Sequence, residues 1–255
     1  MITPMRFDTI VISRHGPVAE IRLNRPASRN AIDQPFLAEL DGATAMLHDD
    51  DRVSVVLLSA AGEMFSAGAP SGDTPSIATS PGLPFRCLEL MAQPVIALIE
   101  GDALGAGLEL ALACDVRLAD EHATFAISCL AEGAVPCGGG TQRLPRLVGR
   151  AKAAEMILLG ESVDAAAALA CGLVNRVAAR GEARAAAERL ARTMASRGPL
   201  ALRYAKEAVN RGLDMPLEQA LRYETDLTVI LQTTRDRAEG VRAFLEKRPP
   251  RFEGR

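Results

Sequence analysis

The sequence predicts an α/β fold followed by a helical region. In the first half of the chain, runs rich in β-branched residues alternate with helical patterns, as in proteins that cover a sheet with helices. Beyond about residue 180 the strand patterns stop and helical patterns alone follow. At 255 residues the chain exceeds a usual single domain, so we expect one large domain or a large domain with an appendage.

Five strands are predicted in the first half. The first two flank Gly16 and Pro17 as a hairpin, and the other three have the apolar composition of buried strands. The five runs cover residues 7–14, 18–23, 53–60, 95–99 and 115–119. Residues 34–48 carry apolar side chains at helical spacing, which indicates a crossover helix between two strands.

Four helices are predicted in the last part of the chain. They cover residues 182–197, 199–212, 216–232 and 235–247. Two of them open with proline, a residue that fits the first helical position because its missing N–H would have no partner there. Residues 66–84 are rich in Gly, Pro and Ser, so we expect a mobile loop over a site.

Composition excludes several classes of function. The net charge is -3, with Lys and Arg spread along the chain, so there is no basic footprint for nucleic acid or an anionic membrane. The five cysteines form no CxxC pair and the three histidines lie far apart, so we expect no metal site and reduced thiols. The start has no signal-peptide pattern, and acids interrupt the longest apolar stretch, residues 95–114. We therefore expect a cytoplasmic protein without a membrane partner.

Three glycine-rich stretches point to a site. They cover residues 61–70, 101–107 and 133–142. None has the spacing of a nucleotide-binding loop, but small residues let a ligand approach the backbone. Each stretch alone also fits a turn or a close helix contact. Because two of them directly follow predicted strands, the three together favour a ligand site.

Glu109 is the candidate acid of this site. If a strand ends near Ile99 and a helix starts near Gly105 or Ala106, the amides of the first turn point outward without intrahelical acceptors. Glu109 comes three residues after Ala106, hence on the same helix face. An acid beside such amides can move a proton on the carbon next to a polarised carbonyl. The alternatives are an acid that stabilises the helix N-terminus or one that snorkels to solvent.

Four segments carry a resemblance to a known family. NRPASRNAI, AGEMFSAGA, GDALGAGLELALACDVRLAD and the long stretch from GGGTQRLPRL to CGLVNRV resemble, in order and spacing, the crotonase family, which includes the enoyl-CoA hydratases. The resemblance implies a spiral of ββα units over residues 1–195 and a helical trimerisation region over residues 196–255. It also implies acyl-CoA thioester substrates, a homotrimer or a homohexamer built as a dimer of trimers, and no cofactor besides the CoA of the substrate.

Matching motif positions assign roles to single residues. Glu109 corresponds to the first catalytic glutamate, and the backbone amides of Ala69 and Ala106 correspond to the oxyanion hole. The resemblance further places Ala67 near the adenine end of CoA and Arg29 near its entrance.

The resemblance also assigns a role to the carboxyl-terminal segment AFLEKRPPRF. Phe244 and Lys247 in this segment resemble a tail that meets CoA in a neighbouring subunit.

The sequence departs from the family at the second catalytic acid, where it has Cys129. A thiol is a poor substitute for a carboxylate at neutral pH, and a buried cysteine more often acts as a small hydrophobe. Pro70 replaces a usual Asp, and Cys137 stands where some dienoyl-CoA isomerases have an acid. Our hypothesis is that Glu132, one helical turn after Cys129, supplies the second carboxylate; the alternative is a solvated loop acid.

The interpretation that combines these observations is an enoyl-CoA hydratase, a lyase that adds water through a stabilised enolate. Three alternatives stay open: a single-acid enoyl-CoA isomerase, a hydratase of an atypical cyclic or dienoyl thioester, and an acyl-CoA-binding protein without catalysis. The acidic charge balance speaks against an RNA-binding role.

Overall fold

The computed structural model describes residues 5–70, residue 77 and residues 83–255. Residues 71–76 and 78–82 of the predicted loop lie outside the described residues. The described strands are β1 (Met5–Arg6), β2 (Ile10–His15), β3 (Val18–Leu23), β4 (Val55–Ala60), β5 (Val95–Ile99), β6 (Ala103–Leu104), β7 (Val116–Asp120), β8 (Thr124–Ala126), β9 (Val163–Asp164) and β10 (Arg176–Ala178). The described helices are α1 (Gln34–His48), α2 (Arg86–Leu90), α3 (Ala106–Leu112), α4 (Gly140–Val148), α5 (Arg150–Leu159), α6 (Ala165–Ala170), α7 (Ala183–Ala195), α8 (Pro199–Gly212), α9 (Leu217–Gln232) and α10 (Arg235–Leu245). Short 3-10 turns cover Pro26–Ser28 and Cys129–Glu132.

Seven of the described strands form the main sheet, in the order β1-β2-β3-β4-β5-β7-β10. The first three strands pair antiparallel, and every later pair is parallel. The predicted hairpin is confirmed, because Gly16 and Pro17 join β2 to β3 and Gly16 has a φ of 63° that glycine adopts without steric cost. Since parallel strands end at one edge, the glycine-rich segments after β4 and β5 meet there.

The centre of the sheet is covered on both faces. Every residue of β4 and β5 is buried, which is why these strands read as continuous apolar runs. Successive side chains point to opposite faces, so Val56 and Leu58 join the main core while Val55 and Leu57 pack against α7. The predicted buried strands and the layered α/β arrangement are confirmed.

A second sheet connects the main sheet to the site. Among the described strands it has the order β6-β8-β9, with β6 parallel to β8. It was not predicted, because β6 and β9 have two residues each and carry no periodic pattern. Gly105 at the end of β6 donates its N–H to the carbonyl of Ala126 at 2.8 Å. This bond fixes the turn from which α3 starts.

The carboxyl-terminal helices confirm the predicted helical pattern within one or two residues at each end. The α8 helix is attached to the core by Lys206, whose Nζ donates to the carbonyls of Leu88 and Gln93 and lies 2.8 Å from the carboxylate of Asp115. Tyr223 on α9 donates its hydroxyl hydrogen to Glu207 on α8. The division at residues 195 and 196 stays a prediction. No described helix combines the length and the apolar character needed to cross a membrane.

The predicted first strand starts too early. Residues 7–9 lie outside β2, which begins at Ile10. The amides of Asp8 and Thr9 donate to the carboxylate of Glu39 on α1, both at 2.8 Å. A side chain distant in the sequence has taken the hydrogen bonds that a strand partner would use.

Candidate active site

Glu109 lies on a short helix inside the protein. Gly105 has a φ of 51°, and α3 begins at the next residue, where the sequence predicted it. All residues of this helix are buried, and 4% of Glu109 is exposed. The alternative in which Glu109 snorkels to solvent is therefore wrong. A buried carboxylate needs hydrogen bonds, because its charge has lost most of its hydration.

The glycines before α4 supply these hydrogen bonds. Oε1 of Glu109 accepts from the N–H of Gly138 at 2.8 Å and from the N–H of Gly140 at 2.7 Å. A side chain on Gly138 would come within 2.9 Å of Oε2, and one on Gly140 within 3.0 Å of Oε1. Both positions thus require glycine for the backbone to approach the carboxylate. The third glycine-rich stretch therefore supplies the hydrogen bonds to Glu109, and we call its residues 138–140 the cradle of Glu109.

This environment changes the acidity of Glu109. Burial raises the pKa of its carboxyl group above the usual value, because the charged form loses hydration. The hydrogen bonds from Gly140 and Gly138 and the charge of Arg143 lower the pKa but do not cancel the rise. A carboxylate with a raised pKa is a stronger base near neutral pH. Glu109 is therefore suited to accept and return a proton.

The loop after β4 packs against the turn before α3. Leu104 donates its N–H to the carbonyl of Ser66 at 2.9 Å. Gly68 has a φ of 84°, and a side chain there would come within 2.6 Å of the Leu104 carbonyl oxygen and 3.0 Å of the Ala106 nitrogen. The backbones therefore touch at Gly68, which brings Ala69 next to the start of α3.

The amides of Ala69 and Ala106 are available to a ligand. Among the described residues, neither amide has a hydrogen-bond acceptor. Ala106 is the first residue of α3, so its N–H has no acceptor within the helix. Two such amides beside a buried carboxylate can hold a carbonyl oxygen on which negative charge develops.

Two residues that hold this loop were missed in the sequence. The side chain of Asn30, which is buried, donates to the carbonyls of Ala61 at 2.8 Å and Met64 at 2.9 Å. The hydroxyl of Ser66 donates to the carbonyl of Asn30 at 2.8 Å and accepts from the N–H of Gly68 at 3.0 Å. Both residues stand inside the motifs NRPASRNAI and SAGA, which was a signal that they have a structural role there.

A comparison with known families decides the relationship. A family model described as enoyl-CoA hydratase/isomerase matches residues 13–255. The chain belongs to the enoyl-CoA hydratase/isomerase family. The predicted family is thereby confirmed.

Relatives within the enoyl-CoA hydratase/isomerase family cover nearly the whole chain. The short-chain-enoyl-CoA hydratase of Clostridium acetobutylicum is 36% identical over 253 residues, which are 96% of this chain and 97% of that protein. The 2,3-dehydroadipyl-CoA hydratase of Escherichia coli is 40% identical over 253 residues, or 96% of this chain and 99% of that protein. The crystal structure of an enoyl-CoA hydratase from Bacillus anthracis matches with a TM-score of 0.91 at 36% identity, covering 97% of this chain and 100% of that one. The predicted crotonase-like fold is confirmed.

Ala67 and Arg29 are the two residues that the resemblance to the enoyl-CoA hydratase/isomerase family places near CoA. The N–H of Ala67 donates to the carbonyl of Arg29 at 2.9 Å, so the structure brings these two predicted residues together. Arg29 has a φ of 53° and is exposed. Its guanidinium can therefore meet an anionic ligand from solvent.

The second acid expected in this family is absent at its usual place. Burial, and then the charge of Glu109, raises the pKa of the Cys129 thiol. The same causes raise the pKa of the Cys137 thiol to about 11. Both thiols are therefore protonated at neutral pH and cannot act as bases. Glu132 ends the 3-10 turn that starts at Cys129, but it is exposed and makes no hydrogen bond or salt bridge with any described residue.

The two predicted tail residues lie apart from Glu109 in sequence, on and just after α10. Phe244 is 83% exposed, and Lys247 has a φ of 52° directly after the end of the helix. The described contacts of this region are internal: Arg248 donates to Glu239, and buried Asp236 accepts from the amides of Glu253 and Gly254. In the single chain, neither predicted residue is brought to the site by a described hydrogen bond or salt bridge.

Proposed function

We propose that this protein is an enoyl-CoA hydratase, which adds water across the double bond of a 2-enoyl-CoA thioester. The observation that carries the proposal is a buried carboxylate, Glu109, together with the amides of Ala69 and Ala106, which have no hydrogen-bond acceptor among the described residues. Family membership and hydratase relatives at 36–40% identity support it. CoA enters as part of the substrate, and no separate cofactor is needed.

The reaction follows from this arrangement. The thioester oxygen accepts hydrogen bonds from the amides of Ala69 and Ala106, which draws electron density from the double bond. Glu109 takes a proton from water, the water oxygen bonds to C3, and the charge moves to the thioester oxygen as an enolate. C2 then takes a proton and the enolate collapses to the hydroxyacyl thioester. Because the amides occupy Oε1 of Glu109, we assign the proton transfer to Oε2.

Two carboxylates are candidates for donating the proton to C2. With Cys129 at the family's acid position, Glu109 itself can return the proton that it took from water. Glu132 is the other candidate that the sequence offers. Replacement of Glu132 by Gln tests it: unchanged turnover removes Glu132 from the reaction, and a large loss assigns it the second role.

The CoA part of the substrate is proposed to lie along Ala67 and Arg29. The support is the backbone contact between them and the exposed guanidinium, which suits the phosphates of CoA as a planar cation. The matching test is Arg29→Met, which should raise KM with little change in kcat, because this contact is the same in the ground state and the transition state.

The proposed assembly is a homotrimer or a dimer of trimers. Large apolar side chains are exposed along the carboxyl-terminal helices, a pattern that a subunit interface would cover. They include Val209, Leu213, Leu217, Leu221, Val229, Ile230, Val241, Phe244 and Leu245. In this proposed assembly, Phe244 and Lys247 would meet CoA in a neighbouring subunit. Light scattering should give a multiple of the 27.0 kDa chain mass, and a monomer would contradict the assembly.

We infer a cytoplasmic location, without a nucleic-acid or membrane partner. The support is that the five cysteines, all within the described residues, form no disulfide, as expected in a reducing compartment. The net charge of -3 supports the absence of a nucleic-acid partner.

The deciding experiment follows enoyl-CoA esters in heavy water. Gain of one whole heavy water by the product, abolished in Glu109→Gln, is the expected result for hydration. Deuterium incorporation without water addition would instead show a double-bond isomerase, the second candidate. The missing acid at Cys129 favours this candidate, because a single carboxylate can catalyse a 1,3-proton shift. Binding of CoA esters without turnover, unaffected by Glu109→Gln, would show a non-catalytic binding protein.

A further inference from the structure

Arg143 connects the cradle of Glu109 to another helix. It lies on α4, three residues after Gly140, with its side chain largely buried. One end of its guanidinium donates from Nη1 to the carbonyl oxygen of Gly138, whose own N–H donates to Glu109. Its Nε donates to the carboxylate of Glu89 on α2. The guanidinium therefore links the Gly138 peptide, which holds Glu109, to the helix α2.

The glycine between the two donor amides makes room for this side chain. Gly139 has a φ of 102°, and a side chain there would come within 2.1 Å of Nη1 of Arg143. No other residue type allows both the turn and the guanidinium. The three glycines thus have separate tasks: Gly138 and Gly140 approach Glu109, and Gly139 admits Arg143.

We propose that Arg143, anchored by Glu89, is a positioning residue for Glu109, because it fixes the Gly138–Gly140 turn so that both of its amides point at Oε1. The proposal rests on the proposed function in that Glu109 is the acting acid. Arg143 does not touch the substrate in this account. It acts through the peptide and through its positive charge.

The charge of Arg143 gives the proposal a specific signature. The groups whose charges interact with Glu109 in the described residues are Arg143 on α4 and the thiols of Cys129 and Cys137. Since burial keeps both thiols protonated at neutral pH, Arg143 is the charge among these three that stabilises ionised Glu109. Removing it should raise the pKa of Glu109 further, through the lost charge and through weaker hydrogen bonds from Gly138 and Gly140, whereas removal of a side chain without influence on Glu109 would leave that pKa unchanged.

The test compares Arg143→Met, Arg143→Lys and Glu89→Gln with the matched control Arg146→Met, an exposed arginine on the same helix. The first readout is the titration of the Glu109 carboxyl, followed by NMR in protein labelled with carbon-13 at the glutamate carboxyls and assigned with Glu109→Gln. The second readout is the pH profile of crotonyl-CoA hydration. Thermal unfolding of each variant checks that it is folded.

We expect Arg143→Met to move the Glu109 titration and the acid limb of kcat/KM to higher pH. It should lower kcat about tenfold or more while KM changes less than about twofold, because the acid and not the CoA site is displaced. Arg143→Lys should restore the titration and part of kcat. Glu89→Gln should shift both readouts in the same direction by less, and it carries the test if Arg143→Met does not fold.

An unchanged Glu109 titration in a folded Arg143→Met variant would overturn the proposal, as would an equal shift in Arg146→Met. Failure of the proposed function looks different. In that case the wild-type protein does not hydrate enoyl-CoA esters at all, and the carboxyl titration still decides the role of Arg143.

Discussion

Replacing Gly138 by alanine adds one methyl group at the point where the backbone meets Glu109, the proposed catalytic acid. The added carbon would lie 2.6 Å from Cε2 of Phe85, 2.9 Å from Oε2 of Glu109 and 3.1 Å from Cβ of Glu109. Gly138 has no positive φ, so the effect is steric and not due to backbone strain. Phe85 and Glu109 are both buried, so neither can give way into solvent, and the turn has to shift together with the carboxylate that its amides hold.

The expected magnitudes follow from these contacts. Overpacking of this kind costs about 1–3 kcal/mol of folding free energy. A catalytic group displaced by about 1 Å costs roughly 100-fold in rate, or about 2.7 kcal/mol of transition-state stabilisation. We therefore expect Gly138→Ala to fold with reduced stability and to lose about two orders of magnitude in kcat/KM for crotonyl-CoA.

The assay pairs urea unfolding with the loss of enoyl thioester absorbance. The control is Gly42→Ala on α1, where an added methyl group meets nothing within 4 Å and should stabilise the helix by about 0.5–1 kcal/mol. If Gly138→Ala keeps kcat/KM within about twofold of wild type, the position of Glu109 does not depend on this turn and the reasoning is refuted.

Three further predictions test other parts of the structure. Burial raises the pKa of Glu109, so its ionised form destabilises the fold above the pKa of an unfolded carboxyl group. Glu109→Gln should be inactive yet more stable than wild type in urea at pH 7, and the difference should shrink as the pH falls towards 4.5, the ordinary pKa of a glutamate carboxyl group. Ser66→Ala removes two buried hydrogen bonds of the oxyanion loop and should cost about 1–2 kcal/mol of stability and lower kcat more than it raises KM, whereas equal kcat would contradict this role. Lys206→Met leaves Asp115 without its ammonium partner and should cost about 3 kcal/mol in thermal or urea unfolding, with full activity in the remaining folded protein.

The parts predicted correctly are those with strong local signals. The buried strand Val95–Ile99 is an uninterrupted apolar run, and the helix Leu217–Gln232 has a long helical pattern after a proline. Glu109 was identified because a charged residue in an apolar helix stands out without any structure. Local rules fail at Pro145, which lies inside α4. Proline usually breaks a helix, but here tertiary packing overrides that tendency.

The parts that were missed depend on contacts between distant segments. The ion pair of Arg143 and Glu89 joins residues 54 positions apart, and the bond from Asn30 to Met64 spans 34. No spacing rule connects such pairs, because the partners meet only when strands and helices have assembled. Glu132 is exposed in the folded chain, and its role as a second acid stays a prediction.

The proposed oxyanion hole consists of main-chain atoms, whereas the proposed proton transfer uses side chains. The side chains of Asn30 and Ser66 hold the loop that carries Ala69 through hydrogen bonds to its backbone, and none of these bonds involves residue 129. The side chain at residue 129, where this chain has a cysteine and the family an acid, can then change without rebuilding the part proposed to stabilise the enolate. The backbone donors that activate the thioester and the side chains that transfer protons are thus separate parts of the proposed site. A designer can therefore change the reaction at residue 129 while leaving thioester activation intact.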